Sequence, residues 1–319
     1  MTRTDAIAVV GATATGKTAL AESLARAFAA EVVCADSRQV FAELEIGTGR
    51  PTPAERAARP HHLFAALHLG QHASAGWYAR AAGEACDGIR ARGRPALLVG
   101  GSGLYLKSLR EGLAATPPHH PAVRERLRAE VAARGPEALH ARLAAVDPAS
   151  AARLAPRDRQ RVSRALEVYE ATGRPLSWWH VRTPRPAPEP AWTVFEVVVE
   201  PAELRGRIAR RTTWMFDHGL VEETRALLAA GHGEALRALR AIGYDEAMER
   251  IAGRLDRPGA EARVNQRTAQ LAKRQRTWFR HQLEAVRLDA TGGTQENLAH
   301  AARVALRSAG LRPAEARGH

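Results

Sequence analysis

The chain has 319 residues, 45% hydrophobic and 25% charged, the balance of an ordinary globular protein with room for one large domain or two smaller ones. No apolar run approaches the ~18 residues of a membrane-spanning helix, and the N-terminal stretch MTRTDAIAVVGATATG is too short in apolar length for a secretory signal, so a cytoplasmic protein without membrane attachment is expected. The net charge of +13 suits a polyanionic partner, because neutralising phosphates releases counterions.

Cys34 and Cys86 have neither metal nor redox spacing and read as reduced, partly buried thiols. The basic residues are almost all arginine: of 47, only Lys17, Lys107 and Lys273 are lysine. An ammonium is a compact point charge where guanidinium is a wide fork, so Lys17, inside a glycine loop, marks a place where only the compact charge fits.

Residues 6–10 (AIAVV) predict a buried strand, followed by a glycine loop and a helix ending near Ala30. Residues 31–35 (EVVCA) predict a second strand with Asp36 at its carboxyl end, and after a helical stretch over 77–92 a third strand, Ala96–Val99, ends in Gly100-Gly101. Strand, helix, strand, helix, strand implies a parallel sheet with crossover helices, whose ligands gather at the carboxyl ends of the strands. The glycine loop, Asp36 and Gly100–Tyr105 should therefore face one crevice. From about Pro117 the pattern turns to short amphipathic helices over 121–173, with Pro136, Pro148 and Pro156 placed at their starts. A proline-rich connector, TPRPAPEPAW, leads to a further strand at 193–199. Helices follow at 201–218, closed by Gly219, and at about 260–285, and a last strand is expected at 286–290. The expected architecture is α/β: a P-loop NTPase-like parallel sheet with crossover helices, residues 1–116 and 191–290, interrupted by an inserted all-helical domain, 117–190. Residues 291–319 form a C-terminal helix and a frayed tail after Leu311.

Gly11-Ala-Thr-Ala-Thr-Gly-Lys-Thr18 matches G-x-x-x-x-G-K-[ST] between a strand and a helix, the context that confirms a phosphate loop. Gly11, Ala12, Thr13, Ala14, Thr15 and Gly16 offer backbone N–H groups to phosphate oxygens, Lys17 adds charge, and the Thr18 hydroxyl is a ligand for Mg²⁺. ATP is the usual occupant of such a loop, but the strand 96–99, where an NTP hydrolase carries a metal-binding acid, ends in Gly-Gly followed by Ser102 and Tyr105. Asp36 is the only acid at a central strand end. The loop thus fits a small-molecule kinase or a transferase whose donor is another diphosphate.

The segment Asp36-Ser-Arg-Gln-Val-Phe…Ile46-Gly-Thr-Gly-Arg-Pro51 resembles the D-S-x-x-[VI]-Y…I-G-T-A-K-P signature of bacterial-type tRNA dimethylallyltransferases. The resemblance runs on through Pro60–Leu63, Leu98–Tyr105, Asp158–Tyr169 with Thr172-Gly173, and Arg211…Met215…Gly219-Leu220. It ends in Ala241-Ile-Gly-Tyr244 and Ala272–Trp278, covering about residues 7–290 in order. It implies an enzyme that binds dimethylallyl diphosphate with Mg²⁺ on the phosphate loop. Such an enzyme prenylates N6 of the adenine just 3′ of the anticodon, flipped into a channel. By the same resemblance Asp36 takes a hydrogen from the adenine amine, Ser102 lines the channel and Arg211 contacts diphosphate. Ser37, Arg38 and Gln39 match positions that contact tRNA, as do Gln160, Arg161, Val162, Ser163 and Arg164, with Arg124 as a further candidate. Along Arg263–Arg287 seven basic residues face one acid, Glu284, and Lys273, Arg274, Arg276 and Arg280 are candidates to grip tRNA phosphates. The partners implied are the anticodon stem–loop of tRNA and dimethylallyl diphosphate, acting on a monomer.

The chain departs from the family pattern at Ala12 and Thr15 in the loop, at Arg50, where lysine is usual, and at Ser102, which replaces threonine and keeps the hydroxyl. Prenylation of free adenine nucleotide, an ATP-dependent small-molecule kinase and a non-catalytic RNA-binding P-loop protein are the rival readings. His61-His62 and His119-His120 have no acid at ligand spacing, which favours surface or packing roles over metal binding. Trp178-Trp179 is assigned to packing of the inserted helices rather than to stacking on RNA bases.

Overall fold

The computed structural model describes residues 6–113, 116–117, 119–182, 192–308 and 310–311. The connector expected between Thr183 and Trp192 and the tail beyond Leu311 lie almost wholly outside the described residues. The chain divides into two compact units, Met1–Arg110 with Pro188–His319, and Glu111–Ala187.

In the larger unit β1 (Ala6–Gly11) leads into α1 (Lys17–Phe28) and β2 (Glu31–Cys34). Next come α2 (Pro53–Ala58), β3 (His61–His62), α3 (Ala75–Ala91), β4 (Ala96–Gly100) and α4 (Gly103–Glu111). The smaller unit holds α5 (Pro121–Arg134), α6 (Pro136–Val146), α7 (Pro148–Ala151), α8 (Arg159–Thr172) and α9 (Leu176–Arg182). The larger unit resumes with β5 (Trp192–Val198), α10 (Pro201–Asp217), α11 (Leu220–Ala229), α12 (Gly233–Leu239) and α13 (Tyr244–Ile251). It closes with α14 (Arg257–Gln282), β6 (Val286–Asp289) and α15 (Gln295–Ser308).

The six strands form one sheet in the order β3-β2-β4-β1-β5-β6, every pairing parallel. A parallel sheet covered on both faces calls for near-continuous apolar strands, and β1, β2 and β4 are buried throughout, the buried Glu31 at the start of β2 being paired with Arg92 at 2.6 Å. Strand alternation splits their side chains between two cores. Ala6, Ala8, Val10, Val33 and Leu98 pack with Tyr78, Ala82 and Ile89 of α3. Ile7, Val9, Val32, Leu97 and Val99 pack with Leu20, Leu24 and Phe28 of α1 and Leu298, Ala302 and Leu306 of α15. The smaller unit has its own core of Val123, Leu127, Leu139, Leu143, Val162, Ala165 and Leu166.

Pro136 and Pro148 stand at the first positions of α6 and α7. Pro156 does not begin a helix: a turn closed by the Asp158 amide on the Ala155 carbonyl (2.9 Å) intervenes, and Asp158 caps α8 by accepting from the Arg161 amide. An aspartate cap outcompetes a proline two residues earlier. The two-residue strand β3 escapes any periodicity argument and exists because His61 and His62 complete the ladder beside β2. Neither histidine pair lacks an acidic partner. His61 meets Glu22 at 3.1 Å, His62 meets Glu31 at 2.7 Å and His119 meets Glu167 at 3.1 Å, all distant in sequence. Among the described residues no group of three or more His, Cys, Asp or Glu could hold a metal ion. No helix among them is long and apolar enough to cross a membrane.

Candidate active site

The carboxyl ends of β1, β2 and β4 open onto a cavity of about 580 Å³, entirely within the larger unit. Thr13, Asp36, Ser37, Arg38, Gly101–Tyr105 and Arg211 all line it, so the three segments expected to share a crevice do so. Helices α10 and α14 supply the far wall, with Met215, Leu271, Arg274 and Gln275 among its residues.

The phosphate loop is a backbone nest, with Ala14 at φ 63° and Gly16 at φ 94° turning successive amides inward. Lys17 Nζ donates to the Ala12 carbonyl at 2.5 Å, and Thr15 Oγ1 donates to the same oxygen at 2.9 Å. Burial pushes the Lys17 ammonium down to about 8; Asp36 pulls it up and Arg211 depresses it further. Arg211 donates to Thr13 Oγ1 at 3.1 Å and to the Thr48 carbonyl at 2.8 Å, and among the described residues it makes no ion pair. Burial lowers its guanidinium below the usual range, with Asp36 opposing. Two cations therefore converge on the loop with, among the described residues, only the Asp36 carboxylate nearby as counterion. Crowded charge of this kind is costly and seeks an anion.

Asp36 Oδ1 accepts the Arg38 amide at 2.8 Å and the Gln39 amide at 3.4 Å, while Oδ2 takes no hydrogen bond among the described residues. Ser102 Oγ accepts the Ser37 amide at 2.9 Å, and the Ser102 amide donates to the Ala35 carbonyl at 3.1 Å. These bonds lock the β2 and β4 loops together. The carboxylate and the hydroxyl then share one wall of the cavity. Thr18, at the start of α1, is exposed and its hydroxyl makes no hydrogen bond among the described residues. A free hydroxyl beside a phosphate nest fits a hard cation that keeps most of its waters and arrives with a diphosphate.

Sequence reasoning missed several residues that hold this geometry. Gln275 accepts the Thr13 amide at 2.9 Å and donates to the Gly101 carbonyl at 3.0 Å, bridging the phosphate loop and the β4 loop. Arg207 donates to the carbonyls of Thr15 (3.2 Å) and Ala290 (2.7 Å). Glu223 and Tyr244 hold the segment 45–47. All are contacts between segments far apart in sequence, which no local pattern announces.

The remaining expected residues separate into groups. Arg38 reaches the Leu239 carbonyl at 3.0 Å, and Gln39 the carbonyls of Thr48 and Gly49 at 3.1 and 3.2 Å. In the helical unit Gln160 and Arg161 are exposed and Ser163 is half-buried. Val162, at 1% exposure, has its side chain in the helical core. The Arg164 guanidinium meets Glu167 (3.0 Å), Thr116 Oγ1 (3.2 Å) and the Pro117 carbonyl (2.6 Å), and Arg124 also leans on Glu167, at 3.6 Å. Along α14, Arg263 and Arg267 are neutralised by Glu246, and Arg267 also by Asp245. Lys273, Arg274, Arg276 and Arg280 make no ion pair among the described residues; the first two and Arg280 are exposed. Trp178 and Trp179 meet edge to face at 5.1 Å, and Arg174 and Arg182 lie over the Trp178 ring.

Comparison with known proteins bears directly on this site. A family model described as IPP transferase matches residues 39–282, and one described as isopentenyl transferase matches residues 4–61. A tRNA dimethylallyltransferase of Sorangium cellulosum is 46% identical over 88% of this chain and 88% of its own. The solved tRNA isopentenylpyrophosphate transferase of Bacillus halodurans is 29% identical, with a TM-score of 0.67 over 97% of this chain and 98% of its own. A eukaryotic dimethylallyltransferase solved acting on tRNA superposes with a TM-score of 0.80 over 98% of this chain and 81% of its own; at 24% identity this likeness speaks for the fold. With a family match over most of its length and relatives this similar, the chain belongs to the IPP transferase family.

Proposed function

We propose that the protein transfers the dimethylallyl group of dimethylallyl diphosphate to N6 of the adenine immediately 3′ of the anticodon in tRNA, releasing diphosphate. The observation that carries this reading is the convergence of Lys17 and Arg211 on the phosphate loop, beside a cavity lined by Thr13, Arg211 and Asp36, whose Oδ2 accepts no hydrogen bond among the described residues. An anion site and a proton acceptor side by side match a reaction that expels diphosphate and deprotonates an amine.

The chemistry follows from these groups. As the allylic carbon–oxygen bond breaks, negative charge grows on diphosphate, and Lys17, the loop amides and Arg211 stabilise it where it develops. Mg²⁺, held by Thr18 and the donor's own oxygens, would add charge neutralisation there. The adenine amine forms the new carbon–nitrogen bond and passes a proton to Asp36 Oδ2, the oxygen left free by the Arg38 and Gln39 amides. A base stacked in an RNA loop cannot reach this cavity, so the adenine is flipped out. Ser102, its oxygen satisfied by the Ser37 amide, has its own O–H to offer the substrate. Lys273, Arg274, Arg276 and Arg280 of α14, which make no ion pair among the described residues, grip RNA phosphates, and the helical unit with exposed Gln160 and Arg161 holds the anticodon stem–loop.

Incubating the protein with Mg²⁺, labelled dimethylallyl diphosphate and either an anticodon stem–loop or AMP tests the proposal. Label in the stem–loop supports it. Label in AMP alone, or steady ATP turnover without prenyl transfer, would assign the site to another reaction.

A further inference from the structure

Among the described residues no carboxylate holds Arg211. One of its two partners is the carbonyl of Thr48, 2.8 Å away, in the loop Ile46-Gly-Thr-Gly-Arg50. What fixes that carbonyl therefore fixes the cation over the phosphate loop.

The loop is anchored on the residues just before Thr48. Glu223, in the first turn of α11, accepts the Glu45 amide at 2.9 Å on Oε1 and the Ile46 amide at 2.8 Å on Oε2. Tyr244, at the start of α13, donates its hydroxyl to Glu223 Oε1 at 2.5 Å and accepts the Gly47 amide at 3.2 Å. Three consecutive amides thus end on one acid–phenol pair. Burial and the Glu223 carboxylate together raise the Tyr244 phenol well above its ordinary range, so it stays an O–H donor. Thr48 comes next, its carbonyl receiving Arg211 and Gln39.

The glycines of the loop are dictated by the same groups. A Cβ on Gly47 would lie 2.4 Å from the Tyr244 ring, and one on Gly49, at φ +60°, would lie 2.6 Å from Arg211 Nη2. The first lets the phenol close over the backbone. The second leaves room for the guanidinium.

Building on the function proposed above, we infer that Glu223 and Tyr244 are positioning residues: through the amides of 45–47 and the Thr48 carbonyl they aim Arg211 at the diphosphate of the donor. Neither need touch the reacting atoms for this.

Donor affinity, measured calorimetrically with dimethylallyl diphosphate and no RNA, separates this role from simple support of the fold. Glu223→Gln loses one of its charged acceptors and should weaken donor binding about tenfold, raising the donor KM while the stem–loop KM stays put. Tyr244→Phe keeps the ring and its packing, removes only the hydroxyl, and should weaken donor binding by a smaller factor. The decisive readout is the double variant. If Glu223 acts through Arg211, then adding Glu223→Gln to Arg211→Ala should cost less than about twofold further. Fully additive losses, or a folded Glu223→Gln with wild-type donor affinity, would overturn the inference while leaving the proposed reaction intact. An Arg211→Ala variant that binds donor like the wild type would overturn both.

Discussion

Ser102 and Ser37 meet through a single bond, the Ser37 amide donating to Ser102 Oγ at 2.9 Å. It joins the loop after β4 to the loop after β2, directly beside Asp36. Because the Ser102 oxygen is already accepting, its proton is left to point at a ligand. Ser102→Ala removes that donor and strands the Ser37 amide, and turnover should fall about tenfold to a hundredfold. Ser102→Thr keeps the hydroxyl and should stay close to wild type. Equal losses in both variants would deny the hydroxyl a role.

Lys17 is expected to set the alkaline limit of donor binding. Burial holds its ammonium at about 8 in the free protein, against 10.5 for an unburied lysine. A bound diphosphate favours the charged form and raises that value. Below pH 8 the lysine is already protonated and affinity is flat. Above it, binding must take up a proton, and affinity should fall about tenfold per pH unit. Calorimetry across pH 7–9.5 in buffers of different ionisation enthalpy would register the uptake. A flat profile with no buffer dependence would mean that Lys17 does not titrate with the donor.

The basic surface divides into free and committed charge. RNA affinity should drop steeply between ~50 and ~200 mM salt, and Arg274→Ala should reduce the salt slope by about one, as should Arg161→Ala, whose exposed guanidinium meets only the capping Asp158 at 3.4 Å among the described residues. Arg164→Gln should behave differently, because Arg164 serves Glu167, the Thr116 hydroxyl and the Pro117 carbonyl. It should destabilise the protein by roughly 1–3 kcal/mol and leave the slope unchanged. A flattened slope in a stable Arg164→Gln protein would return that residue to the RNA surface.

The difference between Arg161 and Arg164 marks where sequence ceased to inform. Both lie on one face of α8, and helical spacing cannot tell that a buried Glu167 one turn on claims the second. Val162 sits between them in the motif, but its apolar character already pointed inward, and it joined the expected site only by resemblance. By contrast the phosphate loop, Asp36 and Gly100–Tyr105 were legible because strand alternation and glycine spacing are local, and parallel topology then brings all strand ends to one side. Glu223, Tyr244, Arg207 and Gln275 were not, because each acts on backbone between 174 and 262 residues away, save the Arg207–Ala290 bond. Only the folded chain joins them.

The central claim is that Asp36 accepts the amine proton in the cavity that holds the diphosphate. Asp36→Asn keeps Oδ1 as acceptor for the Arg38 and Gln39 amides, so the turn should survive. Single-turnover transfer from dimethylallyl diphosphate to an anticodon stem–loop should fall by ~10²–10⁴-fold, with donor affinity and melting temperature nearly unchanged. A folded Asp36→Asn protein that transfers the prenyl group at close to the wild-type rate would contradict the account.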